Sequence, residues 1–153
     1  MDPGSKLSER RLTLSLAESC TGGLASDMVT DVPGSSAYFL AGLVTYSNEA
    51  KVRLLGVNET TLRTHGAVSE ETAREMAEGV RKVIGSDIGA STTGIAGPGG
   101  ATPTKPAGLV HFAVSWKGGM MVDRVVFPGG RRAVKVGAAE HILRMVDEAI
   151  DRL

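Results

Sequence analysis

Cysteine, aromatic side chains and an excess of charge of either sign are scarce in this sequence. A single cysteine among 153 residues leaves no partner for an internal disulfide and fits a reducing compartment. Seventeen Lys and Arg balance seventeen Asp and Glu, and aromatic residues make up only 4% of the chain. That combination supplies neither the basic stripe nor the stacked rings of a nucleic-acid surface, so no nucleic-acid partner is expected. No apolar run approaches the roughly 20 residues that a bilayer-crossing helix needs. The first residues, Met1-Asp2-Pro3-Gly4-Ser5-Lys6, contain no apolar signal region and have the look of an expression scar. The expectation is a soluble, cytoplasmic protein with no membrane partner. His65, His111 and His141 stand without metal-ligand spacing, which argues against metal catalysis.

Glycine, by contrast, is abundant: 20 residues, against a typical ~7% of a chain. With no repeat and no low-complexity tract, these glycines punctuate elements rather than mark disorder. Leu12–Leu16 alternates with period two and reads as a strand. A short helix is expected over 24–30, packing through Leu24, Met28 and Val29. A second strand is expected over 40–46, followed by a helix over 48–55 stopped by Gly56. Ser69 is placed to cap a helix whose first turn carries Glu70 and Glu71. Ala73, Met76, Ala77, Val80, Val83 and Ile84 then recur at helical spacing up to Gly85. A strand follows over 88–93, then a hairpin of strands 108–116 and 120–127 around Lys117-Gly118-Gly119, then a last helix from about Arg132 to Arg152. Strands alternating with helices, plus a late hairpin, predict a three-layer α/β/α domain on a mixed, mostly parallel sheet. Residues 11–153 are read as one domain and residues 1–10 as an extension before it.

Four clusters of small and hydroxyl-bearing residues end apolar runs, where α/β proteins place ligand-holding loops. They are Ala17-Glu18-Ser19-Cys20-Thr21-Gly22-Gly23, Gly34-Ser35-Ser36-Ala37-Tyr38-Phe39, Thr45-Tyr46-Ser47-Asn48-Glu49-Ala50-Lys51 and Ser91-Thr92-Thr93-Gly94-Ile95-Ala96-Gly97-Pro98. Ser36, Tyr46 and Lys51 form one candidate set. A serine needs a base, and a buried lysine with a lowered pKa can serve where no histidine is near. The same residues also fit a turn cap, a strand-end aromatic and a solvated charge. Cys20 is the rival nucleophile, set before a helix N-terminus that would lower its pKa, though a lone intracellular cysteine is more often simply buried. The Thr21-Gly22-Gly23 turn and the Thr93–Gly100 loop could offer backbone N–H groups to an anion, but neither matches a P-loop or dinucleotide fingerprint, and both fit ordinary tight turns. Arg131 and Arg132 are the candidate anion clamps.

Taken in order, the clusters resemble the C-terminal domain of the competence/damage-inducible CinA proteins, whose stand-alone form is a nicotinamide mononucleotide deamidase. The likeness runs from about Leu12 to Ile150 and includes Leu55-Gly56-Val57, Gly66-Ala67-Val68-Ser69 and Lys105-Pro106-x-Gly108. The resemblance implies hydrolysis of nicotinamide mononucleotide to nicotinate mononucleotide and ammonia, with no cofactor. It implies Ser36 as nucleophile, Lys51 as base and Tyr46 as proton-transfer partner. Cys20, Thr93 and Arg131 fall on family positions associated with the pocket, and Thr21, Gly22 and Gly94 are the loops against which the ribose and phosphate are placed. It makes a homo-oligomer the modest expectation. One departure stands out. The family commonly carries Gly-Asp-Arg before the last helix, where this chain has Gly129-Gly130-Arg131. That change keeps a second reading open, a nucleotide-binding or regulatory module without turnover.

Overall fold

The computed structural model describes residues 2–153. The chain opens with helix α1 (Gly4–Arg10), then strand β1 (Leu14–Glu18), helix α2 (Leu24–Thr30) and a single 3-10 turn at Ser35–Ala37. Strand β2 (Phe39–Val44) leads into α3 (Asn48–Leu55), α4 (Glu59–His65) and α5 (Glu70–Ile84). Strands β3 (Ile88–Gly94), β4 (Leu109–Trp116) and β5 (Gly119–Val126) follow, and α6 (Arg131–Ile150) closes the domain. The sheet order is β2-β1-β3-β4-β5, with β2, β1 and β3 parallel and β4 and β5 joined antiparallel. This is the three-layer α/β/α arrangement that the alternation of elements predicts.

The two faces bury different helices. On one, Leu7 of α1, Ala25 and Val29 of α2 and the apolar stripe of α6 pack over Leu14, Leu16, Ala90 and Phe112. On the other, Met76 and Val80 of α5 meet Ala17, Leu55 and Val57. Alanine is what lets α5 lie close: Ala73 and Ala77 face Ala113, and a Cβ at Gly89 would meet the Ala77 carbonyl oxygen at 2.3 Å. Every residue of β1 is buried because helices cover both of its faces, so period-two alternation is a poor guide to its limits. The strand starts two residues later than the pattern suggests, since the backbone N–H and hydroxyl of Thr13 are both given to Asp87, at 2.8 and 2.9 Å.

Two helices have no counterpart in the sequence reading. α4 buries no residue, so it leaves no apolar periodicity to detect. α1 falls in the segment read as an extension, yet Leu7 is 0% exposed. Lys6 pairs with Asp147 and Asp151 at 3.0 Å each, and Arg10 donates to the backbone carbonyls of Ile150 and Leu153. Among the described residues no helix is long and apolar enough to cross a membrane.

Candidate active site

Parallel register decides which residues can meet. Glu18, the last residue of β1, is level with Val44 on one side and Thr92 on the other. Residues just beyond these positions therefore converge at the carboxyl edge of the sheet, where open α/β sheets place their ligands. A cavity of about 270 Å³ opens there, lined among others by Ser19, Cys20, Tyr46, Lys51, Thr93 and Arg131. Larger hollows of about 430 and 530 Å³ lie elsewhere, but neither sets a nucleophile beside a base.

Glu18 organises the first loop. Its carboxylate is 1% exposed and accepts from the Thr21 hydroxyl (2.7 Å) and the backbone N–H groups of Gly23, Ala25 and Ser26 (3.2, 2.9 and 2.9 Å). The Ser26 hydroxyl adds a fifth bond at 2.6 Å. A carboxylate on the first turn of a helix satisfies orphan N–H donors and complements the helix dipole. The α2 N-terminus is thereby occupied from within the chain, which leaves the Thr21-Gly22-Gly23 turn little capacity for an external anion. Thr21 is fully buried, with its hydroxyl also 2.8 Å from that of Thr92. Gly22 is exposed, faces Lys135 and adopts φ +60°. Neither lines the cavity.

Lys51 enters from the first turn of α3, which starts where it does because Ser47 caps it, accepting from the Ala50 N–H at 3.0 Å. The side chain is 0% exposed. Its Nζ donates to the Ser19 hydroxyl (3.0 Å) and to the backbone carbonyls of Thr45 (2.8 Å) and Tyr46 (3.2 Å). None of these partners carries a full negative charge. Burial without a counter-ion penalises the ammonium, and the amine falls from 10.5 to about 8. Two carbonyls fixed against Nζ can only accept hydrogen. In the neutral amine they take both N–H bonds, which aims the lone pair at Ser19.

Cys20 is placed in the cavity wall but has the opposite chemistry to a nucleophile. Burial pushes its thiol up to about 12, outweighing the helix-end effect that the sequence suggests. Thr93 is 1% exposed, and its hydroxyl donates to the Ala67 carbonyl at 2.7 Å, tying β3 to the loop before α5. Gly94 continues that wall. Arg131, the first residue of α6, donates to the Gly97 carbonyl (2.9 Å) and to the Tyr46 hydroxyl (3.1 Å), closing the cavity from above. A guanidinium offers five N–H donors, so most of them remain for a ligand.

Ser36 is not in this cavity. It lies exposed in the 3-10 turn that precedes β2, whereas Tyr46 and Lys51 follow β2. Six strand residues at roughly 3.3 Å each separate the two ends by about 20 Å. Within one chain the predicted Ser36–Tyr46–Lys51 set is therefore not assembled, and the serine beside Lys51 is Ser19. The sequence held a signal for it: Ser19 is the first residue past β1, next to the cysteine that drew attention.

Residues 2–150 match the family model described as the CinA C-terminal domain. A CinA-like protein from Chlorobaculum tepidum is 55% identical over 143 residues, covering 90% of this chain and 34% of its own length. The chain spans about a third of the length of the curated relatives it matches. Among solved structures, the competence-damaged protein (CinA) superfamily protein of Klebsiella pneumoniae superposes with a TM-score of 0.95 at 34% identity, covering 99% of this chain and 94% of its own. The competence/damage-inducible protein CihA of Agrobacterium tumefaciens gives 0.93 at 39% identity, over 96% and 90% of the two chains.

Proposed function

Because the chain belongs to the CinA C-terminal domain family, we propose that it is an amidohydrolase that converts nicotinamide mononucleotide to nicotinate mononucleotide and ammonia. The observation that carries this reading is the contact between the Lys51 amine and the Ser19 hydroxyl inside the cavity. An amine near 8 is neutral in a useful fraction of molecules at neutral pH, and a base poised there can take a proton from serine. Ser19 Oγ attacks the carboxamide carbon as its proton passes to Lys51 Nζ. Collapse of the tetrahedral intermediate breaks the C–N bond, and the proton on Lys51 leaves with the nitrogen as ammonia. Water, deprotonated by the same amine, then attacks the acyl-enzyme and returns the proton to Ser19.

Arg131 is the side chain suited to the substrate's phosphate, a charged fork meeting a doubly charged anion. Its bond to the Tyr46 hydroxyl holds that fork over the cavity mouth. Purified protein supplied with nicotinamide mononucleotide should release ammonia stoichiometrically with nicotinate mononucleotide. The Ser19→Ala and Lys51→Met variants should lose more than about a hundredfold in rate, while Cys20→Ala should keep turnover close to that of the parent. Tight binding of the mononucleotide by folded protein with no ammonia formed would shift the reading to a silent binding module.

A further inference from the structure

The amino edge of the sheet, opposite the catalytic cavity, holds another hollow, of about 550 Å³. Asp87 before β3 and Trp116 and Lys117 at the β4–β5 turn line it, together with Arg81 of α5 and Arg152 beyond α6. A hollow of that size accommodates a small organic ligand. Ile88, which opens β3 beside it, and Thr93, in the wall of the catalytic cavity, are separated by roughly 17 Å of strand. Among the described residues, Arg81, Lys117 and Arg152 form no ion pair. The contrast along α5 is clear: Arg74 pairs with Glu70 and Lys82 with Glu78, each one turn back, whereas the residue one turn before Arg81 is Ala77. Arg81 instead donates its Nε to the Ser115 hydroxyl at 3.0 Å, which orients the guanidinium and leaves its two terminal nitrogens for a ligand. The carboxylate in the lining, Asp87, already accepts from the N–H and hydroxyl of Thr13, and Arg10 covers the Leu153 carbonyl at 2.8 Å.

We propose that this hollow binds a phosphate ester that carries a flat ring, of the chemical class of a nucleoside monophosphate. The Arg81 fork meets two phosphate oxygens, and Lys117 and Arg152 add point charges around the same anion. Trp116, the sole tryptophan of the chain, supplies the surface for the ring. Its indole packs over Gly119, where a Cβ would meet three of its ring atoms at 2.3–2.5 Å. That glycine seats the indole beside the cations, and the side chain stays partly exposed. Stacking on an indole accepts any base, because every base has a π-face. The phosphate supplies the charge that the arginines and lysine match. Each half of the ligand therefore binds more weakly alone than when joined to the other. The site uses no residue of the catalytic cavity, and nothing in it depends on the mononucleotide reading.

Because Trp116 is the only tryptophan, tryptophan emission reports this hollow directly. Titration of the whole chain with adenosine monophosphate should change that emission saturably. Adenosine and inorganic phosphate, each half of the probe, should bind at least about tenfold more weakly. Arg81→Lys keeps the charge and loses the fork, and Lys117→Gln removes a charge from an exposed turn. Each should weaken binding at least about fivefold, with an unfolding midpoint close to that of the parent. Arg131→Ala, at the catalytic cavity, should leave the affinity unchanged. The site is overturned by the absence of a saturable change, by adenosine or phosphate binding as tightly as the monophosphate, or by full affinity in folded Arg81→Lys. Loss of affinity in Arg131→Ala moves the nucleotide to the catalytic cavity and overturns it equally.

Discussion

Lys51 combines complete burial with the role of base that the proposed reaction asks of it. An ammonium with 0% exposure, held only by neutral oxygens, is costly to bury, and the fold tolerates it because the neutral amine is within reach at about pH 8. Both consequences have a sign. For activity, kcat/KM should rise about tenfold per pH unit below that value and level off above it, as the base loses its proton. For stability, the unfolded amine still holds its proton up to its ordinary 10.5 while the native one has released it. The unfolded state therefore binds more protons between about 8 and 10.5, and the Lys51 contribution to stability rises across that window, is fully present above it and is lost as pH falls through 8. Lys51→Met should abolish both the limb in kcat/KM and this rise in midpoint, measured by pH-rate profiles and by denaturant melts at pH 7 and 10. A profile that breaks near 6 instead would assign the base elsewhere.

Elements with local punctuation are the ones the sequence discloses. α3 runs from Asn48 to Leu55 as expected because Ser47 caps it and Gly56, at φ +71°, ends it. Ser69 caps α5 by accepting from the Thr72 N–H at 3.2 Å. The placement of Ser36 was beyond such reading. It is near Tyr46 in sequence, but a straight strand between them sends it to the other end of the sheet, and only register against β1 reveals that. Ser19 is marked in the sequence by its place just past β1, but only the direction of the Lys51 side chain sets it beside a base. α6 starts without a side-chain cap: its N-cap, Gly130, is extended at φ −81°, ψ −178°, and offers no side-chain oxygen. A Cβ there meets nothing within 4 Å. Gly130→Asp, the residue that the resemblance implies at this position, should therefore cap α6 and raise stability by about 0.5 kcal/mol. Because the new carboxylate would sit next to Arg131, the same variant should change KM for the mononucleotide more than kcat. An unchanged melting midpoint would mean that α6 gains nothing from a cap.

Across the whole molecule, the sheet is clad on both faces, and α6 alone spans most of one of them. That makes the stability of the cavity wall depend on what clamps α6 at its far end. α1 is that clamp: Leu7 lies in the same apolar cluster as Ala139, Leu143, Val146 and Ile150, and Lys6 and Arg10 bind the last turns of the helix. No periodic signal in so short a segment announces this, because one buried leucine among polar neighbours has the same sequence appearance as a solvated tail. The consequence is measurable. Leu7→Ala removes a side chain with 0% exposure from a packed site and should cost about 2–5 kcal/mol in denaturant-induced unfolding. Lys6→Ala, which deletes both ion pairs of a partly exposed side chain, should cost clearly less than Leu7→Ala. If α1 belongs to the cooperative unit, the Leu7→Ala loss must appear in a single transition, seen alike by Trp116 fluorescence at one sheet end and by far-ultraviolet dichroism. A loss below about 1 kcal/mol, or a separate early transition, would make α1 an appendage rather than a part of the core.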